Sequence, residues 1–161
     1  MPIEILNENN YPVDADNLQR AVEMVLKQQS APDDSELTVV ITDNEEVAAL
    51  NEQYRGIAAP TDVLSFPADE PPIPMEDEPP YLGDLIVAYP YALAQAEREK
   101  HDPQQSFALF VVHGTLHLLG YDHDTPENRA EMWAAQDNAL KELGIPLDIV
   151  PALEQGDAED H

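Results

Sequence analysis

The stretch "HGTLHLLGYDH", residues 113–123, holds three of the five histidines in the chain and carries a glycine between the second and third. It continues an apolar run, Phe107 to Val112, that has a helix start behind it: Asp102 as cap, Pro103 at the first helical position and Gln105 placed for a capping box. The predicted helix runs through "FALFVVHGTLHLL" and stops at Gly120, which suits a left-handed C-terminal residue. Residues four apart on a helix lie about 40° apart around the axis and roughly 6 Å along it, so His113 and His117 point the same way. Continued as helix, His123 would stand about 1000° from His113, or roughly 280° around. The turn at Gly120 is what lets His123 swing back toward the other two.

Outward from this element, strands and helices alternate. "PIEILNE" (2–8) alternates like a half-buried strand, and residues 15–29 place Leu18, Ala21, Val22, Val25 and Leu26 at helical spacing behind Asp14 or Asp16. "ELTVVIT" (36–42) reads as a strand, followed by a helix capped by Asp43, boxed by Glu46 and ending near Tyr54. "TDVLSF" (61–66) and "LGDLIVAY" (82–89) read as strands flanking a Pro- and acid-rich loop at residues 68–80. Residues 90–100 read as a helix. A last helix starts at Thr125 and Pro126, ends near Gly144, and takes Met132 and Trp133 into the core. Residues 151–161 are small, acidic and expected to be a disordered tail. The order predicts an α/β or α+β domain with one mixed sheet, spanning residues 1–150.

Composition narrows the chemistry. The chain has 161 residues, enough for one domain with a real core. It has no cysteine, so histidine and carboxylate are the only strong metal ligands. No basic start or long apolar run marks a secretory signal or a membrane span, and the expectation is a cytoplasmic protein without a membrane partner. Aspartate and glutamate number 33 against seven lysines and arginines, a net charge of −26. Arg20, Lys27, Arg55, Arg98, Lys100, Arg129 and Lys141 are scattered, which argues against DNA, RNA or an anionic membrane held by bulk attraction.

A lone histidine on an apolar helix is usually a hydrogen-bonded core residue. Three at relative positions 0, 4 and 10, with glycine at 7, match a known zinc-ligand pattern on helix plus turn. Three nitrogen ligands favour a single Zn2+ with one coordination position open, the arrangement of a catalytic site. Asp122 or Asp124 can instead supply a fourth ligand, making the site structural, or hydrogen-bond a histidine N–H from outside. The spacing resembles the HExxHxxGxxH motif of the metzincin proteases, but residue 114 is glycine where those carry the general-base glutamate. The metal geometry is kept and peptide hydrolysis is not expected.

"HGTLHLLGYDH" further resembles the hallmark of the bacterial YbeY family of zinc-dependent endoribonucleases. "LNEQYRG" (50–56), "PTDVLSFP" (60–67), "LGDLIVA" (82–88) and "QAE" (95–97) stand in that family's order, covering most of residues 36–143. The resemblance implies an α+β fold with a small mixed sheet against helices, and His113, His117 and His123 as zinc ligands in a cleft. It implies that Arg55 faces the cleft and engages RNA, whereas by itself Arg55 reads as a helix-end charge complementing the dipole. Thr61 and Asp62 look like that family's turn into its strand. Gln136 stands where many members carry glutamate.

By the same resemblance the activity is single-strand-specific cleavage in ribosomal RNA maturation, at the 3′ end of the small-subunit rRNA, and in ribosome quality control. The small ribosomal subunit or ribosome-associated proteins are the implied partners. The metal would activate water or polarise the scissile phosphate, with Arg55 stabilising the charge that develops. The rival readings are a ribosome-associated assembly factor with structural zinc, and another zinc-dependent hydrolase on the same three histidines.

Overall fold

Four N-caps place the helices. The side chains of Asp14, Asp43, Asp102 and Thr125 accept hydrogen bonds from the backbone N–H of Asn17, Glu46, Gln104 and Asn128. In the computed structural model these open α1 (Ala15–Gln28), α2 (Asn44–Arg55), α4 (Pro103–Leu118) and α5 (Pro126–Leu143). An uncapped α3 (Tyr89–Glu99) follows a strand directly. The strands are β1 (Ile3–Leu6), β2 (Glu36–Thr42), β3 (Val63–Pro67) and β4 (Tyr81–Ala88). The structure describes residues 3–32, 35–59, 63–68 and 81–146, with Arg55 described by its backbone alone. The expected turn at Thr61 and Asp62, nearly all of the 68–80 loop and the 151–161 tail lie outside these residues.

The fold is α+β, and the described residues form one mixed sheet of order β1-β2-β4-β3. β1, β2 and β4 run parallel, and β3 is antiparallel to β4 at one edge. The period of two sorts the strand residues onto two faces. Leu37, Val39, Ile41, Val63, Leu85 and Val87 join the main core with α1, α4 and α5. Leu64, Ile86 and Ala88 point the other way, onto Val47 of α2, with Phe66 packed alongside.

α4 is the central helix, buried on nearly every side. Phe107 and Phe110 are 1% exposed, and burying each stabilises the fold by about 1.5–3 kcal/mol. Its start is tied to α1 by a residue the capping-box pattern did not single out. Gln104 Oε1 accepts from the Asp14 N–H at 3.1 Å, and Gln104 O accepts from Asn17 Nδ2 at 3.0 Å. The expected box at α2 is also only half formed. Asp43 caps Glu46, but the Glu46 carboxylate accepts from the Thr42 hydroxyl at 2.6 Å, the closer donor.

Candidate metal centre

α4 carries His113 and His117 at its end, and the chain then turns at Gly120, whose φ is +102°. The left-handed conformation favours glycine, and it returns His123 to the two helical rings. Ring centroids are 4.6 Å apart for His113 and His117, 5.4 Å for His113 and His123, and 5.1 Å for His117 and His123. One ring nitrogen from each lies within 4.8 Å of the others, a group able to hold a metal ion. His113 is 1% exposed and His123 9%, while His117 is half-buried.

The hydrogen bonds on the far sides of two rings fix their tautomers. His117 Nδ1 lies 3.0 Å from the backbone oxygen of Tyr121, which can only accept, so Nδ1 carries the hydrogen. His113 Nδ1 lies 3.1 Å from Gln136 Oε1, and the same reasoning applies. Both Nε2 atoms then carry lone pairs, yet they stand 3.1 Å apart. Two lone pairs facing each other repel, and a shared cation removes the repulsion. Nitrogens bonded at about 2.0–2.1 Å to one tetrahedral zinc stand roughly 3.3 Å apart, close to the distance seen. The donor set therefore fits such an ion.

Neither aspartate beside His123 joins the group. Asp122 Oδ1 accepts from the His123 backbone N–H at 2.8 Å, and Asp124 Oδ1 accepts from Asn128 Nδ2 at 2.8 Å. The hydrogen bond from Asn128 holds the Asp124 carboxyl below its usual range. The histidine N–H groups go instead to Tyr121 and Gln136, and Gln136 is fully buried on α5. The amide thus keeps a hydrogen bond to His113 at the position where the resemblance expects a carboxylate. Partners of this kind typically contribute 10- to 100-fold to metal affinity, so Gln136→Leu is expected to weaken the binding of a metal ion there by about that factor. Competition against a chromophoric chelator measures it; unchanged affinity would show that Gln136 does not orient the ring.

Met132 is buried in the core as expected, but Trp133 does more than fill it. Its ring stands edge-on to His113 at 5.8 Å and to His123 at 5.5 Å. Arg129, one turn earlier, lies 4.5 Å over the same ring, in cation–π range. The histidines thus sit against an aromatic wall backed by one of the chain's few cations, a juxtaposition between α4 and α5 that spacing along the chain does not reveal.

Gly114 explains why no general base stands beside His113. A Cβ there would lie 2.7 Å from Leu85 Cδ2 and 3.2 Å from Ser65 Oγ, because α4 packs directly on β4 and β3. The position is tight, and a side chain there would have to displace the end of Leu85.

A cleft of about 590 Å³ opens beside His117. Its lining also includes Tyr54, residues 64–67 of β3, Gly120, Tyr121, Asp122 and Asp124. Arg55 ends α2 directly after Tyr54, and its side chain lies outside the described part of the structure.

The site has relatives. A family model described as Endoribonuclease YbeY matches residues 4–144. A protein named Endoribonuclease YbeY from Brevibacillus brevis is 40% identical over 159 residues, covering 90% of this chain and 98% of its own. Another of that name from Roseiflexus castenholzii is 39% identical over 150 residues, with 89% and 92% covered. The solution structure of TM1509 from Thermotoga maritima matches with a TM-score of 0.59 at 29% identity, covering 88% of both chains.

Proposed function

The chain belongs to the Endoribonuclease YbeY family, and on that premise we propose that it cleaves single-stranded RNA at a zinc ion held by His113, His117 and His123. The observation that carries this reading is the pair of Nε2 atoms 3.1 Å apart beside an open cleft. A group of three protein ligands supports a catalytic ion rather than a structural one, which four would close.

When bound, zinc would supply Lewis acidity at the phosphodiester and lower the pKa of a water molecule. The chain's own residues do the rest. Gln136 and the Tyr121 carbonyl hold the Nδ1 hydrogens of His113 and His117, keeping both Nε2 lone pairs aimed at one point. Trp133 excludes solvent from the inner side of the rings. Glycine at position 114 leaves out the carboxylate that a zinc peptidase uses, which favours a phosphodiester over an amide as substrate.

The substrate in this proposal is ribosomal RNA, matured at the 3′ end of the small-subunit rRNA, with the ribosome or an associated protein delivering it in the cytoplasm. Delivery answers the net charge of −26, which bulk attraction to RNA does not. No helix among the described residues is long and apolar enough to cross a membrane. The proposal takes residues 1–150 as one catalytic unit and 151–161 as an acidic appendage.

Arg55 is assigned the phosphate. Its guanidinium fork suits the charge that develops on the phosphoryl oxygens. Arg55→Ala is expected to leave zinc content and melting temperature nearly unchanged while lowering cleavage of a short single-stranded RNA by about two orders of magnitude. Wild-type cleavage by that variant would make Arg55 an ordinary surface charge.

A further inference from the structure

On the reading that this chain acts on RNA, we propose that Tyr54, braced by Phe66, is a stacking platform that seats one unpaired base of the substrate beside the histidine cluster.

The observation begins with exposure. Among the described residues, Tyr54 is the most exposed large hydrophobic side chain, at 61%. Its ring is nevertheless held in place: it meets Phe66 edge-to-face, with centroids 5.1 Å apart and planes at 64°. Phe66 is in turn half-buried against the second core cluster of Val47, Leu64, Ile86 and Ala88. A ring pinned along one edge and left open elsewhere costs little further ordering when a flat ligand stacks on it.

Tyr54 and Phe66 line the same cleft as His117. What enters that cleft to be cleaved therefore passes an aromatic surface next to the three histidines.

The charge of the cleft says which part of the RNA meets the ring. Asp122 and Asp124 line the same cleft and are exposed. Their carboxylates oppose phosphate along that part of the lining and leave the phosphate to Arg55 and the proposed ion, whereas a neutral base has a π-face that an aromatic ring accepts whatever its sequence. A chain with seven lysines and arginines has few phosphate contacts to offer beyond Arg55, and stacking on a base adds to its hold on RNA. Stacking also needs a base free of its own neighbours, so the platform selects unpaired RNA by construction.

The test uses the full chain and a fluorescein-labelled single-stranded RNA decamer, with binding read by anisotropy before turnover. A series of decamers each lacking one base is measured beside it. Tyr54→Ala is expected to weaken binding by about 5- to 100-fold, and Tyr54→Phe to keep it. At one position, removing the base should cost wild type a similar factor and cost Tyr54→Ala almost nothing, as expected of two halves of one contact. Cleavage should follow through KM, with kcat nearly unchanged. Wild-type affinity in Tyr54→Ala, or equal base-removal losses in both proteins, would overturn the platform while leaving the nuclease reading intact. A wild-type chain that does not bind the decamer overturns it as well. Binding through Tyr54 by a wild-type chain that does not cleave would support the platform and overturn the nuclease.

Discussion

His117→Ala is expected to remove the metal and reduce RNA cleavage to background. Three ligands hold the proposed ion, and removing one leaves His113 and His123 alone among the described residues of the group. Stability separates this from simple unfolding. A ligand that binds only the folded state stabilises it by about 4 kcal/mol at a thousand times its dissociation constant, or roughly 10 °C for a chain of this length. Zinc should therefore raise the wild-type melting temperature by about that amount and leave the variant's unmoved. The metal-free variant should melt close to metal-free wild type, because the substitution also removes the Nε2 pair facing at 3.1 Å. Full zinc occupancy in His117→Ala would place the ion elsewhere.

Gly114 carries the second large effect. A protease-like glutamate introduced there is expected to lower stability rather than to yield a peptidase. The added Cβ alone would lie 2.7 Å from Leu85 Cδ2, the far end of a fully buried side chain that must shift to admit it. The carboxylate beyond it would enter the contact between α4 and the sheet beside the Ser65 hydroxyl, and its desolvation adds to the cost. Gly114→Ala isolates the steric part. Overpacking costs about 1–3 kcal/mol, and the better helix propensity of alanine returns about 1 kcal/mol. The sum predicts a modest fall in melting temperature, read by circular dichroism. A rise would mean that Leu85 gives way and that propensity decides.

Local signals account for what was legible in the sequence. β2 ends where its β-branched run ends, and the four caps at Asp14, Asp43, Asp102 and Thr125 work through short-range hydrogen bonds. The histidine cluster was legible for the same reason, since one helical turn and one glycine turn bring His113, His117 and His123 together. Features made by packing between distant elements were not. Gln136 reaches His113 from 23 residues away because α5 lies on α4, and nothing in the spacing of α5 marks it. Trp133 reads as core from its helix alone, and only the same packing turns it into a wall of the site. The aspartates next to His123 were the nearer candidates for the histidine N–H groups, but backbone N–H and Asn128 engage them first. Tyr54 enters the cleft because β3 runs antiparallel at the sheet edge and brings Phe66 beneath it, a pairing that spans the 68–80 loop.

On the proposed reading, RNA cleavage depends on the ion that His113, His117 and His123 hold. The direct measurement is cleavage of a short single-stranded RNA by chelator-stripped protein, titrated with zinc. No cleavage without metal, and recovery that saturates at one zinc per chain, is the predicted result. Undiminished cleavage by the metal-free protein would contradict it.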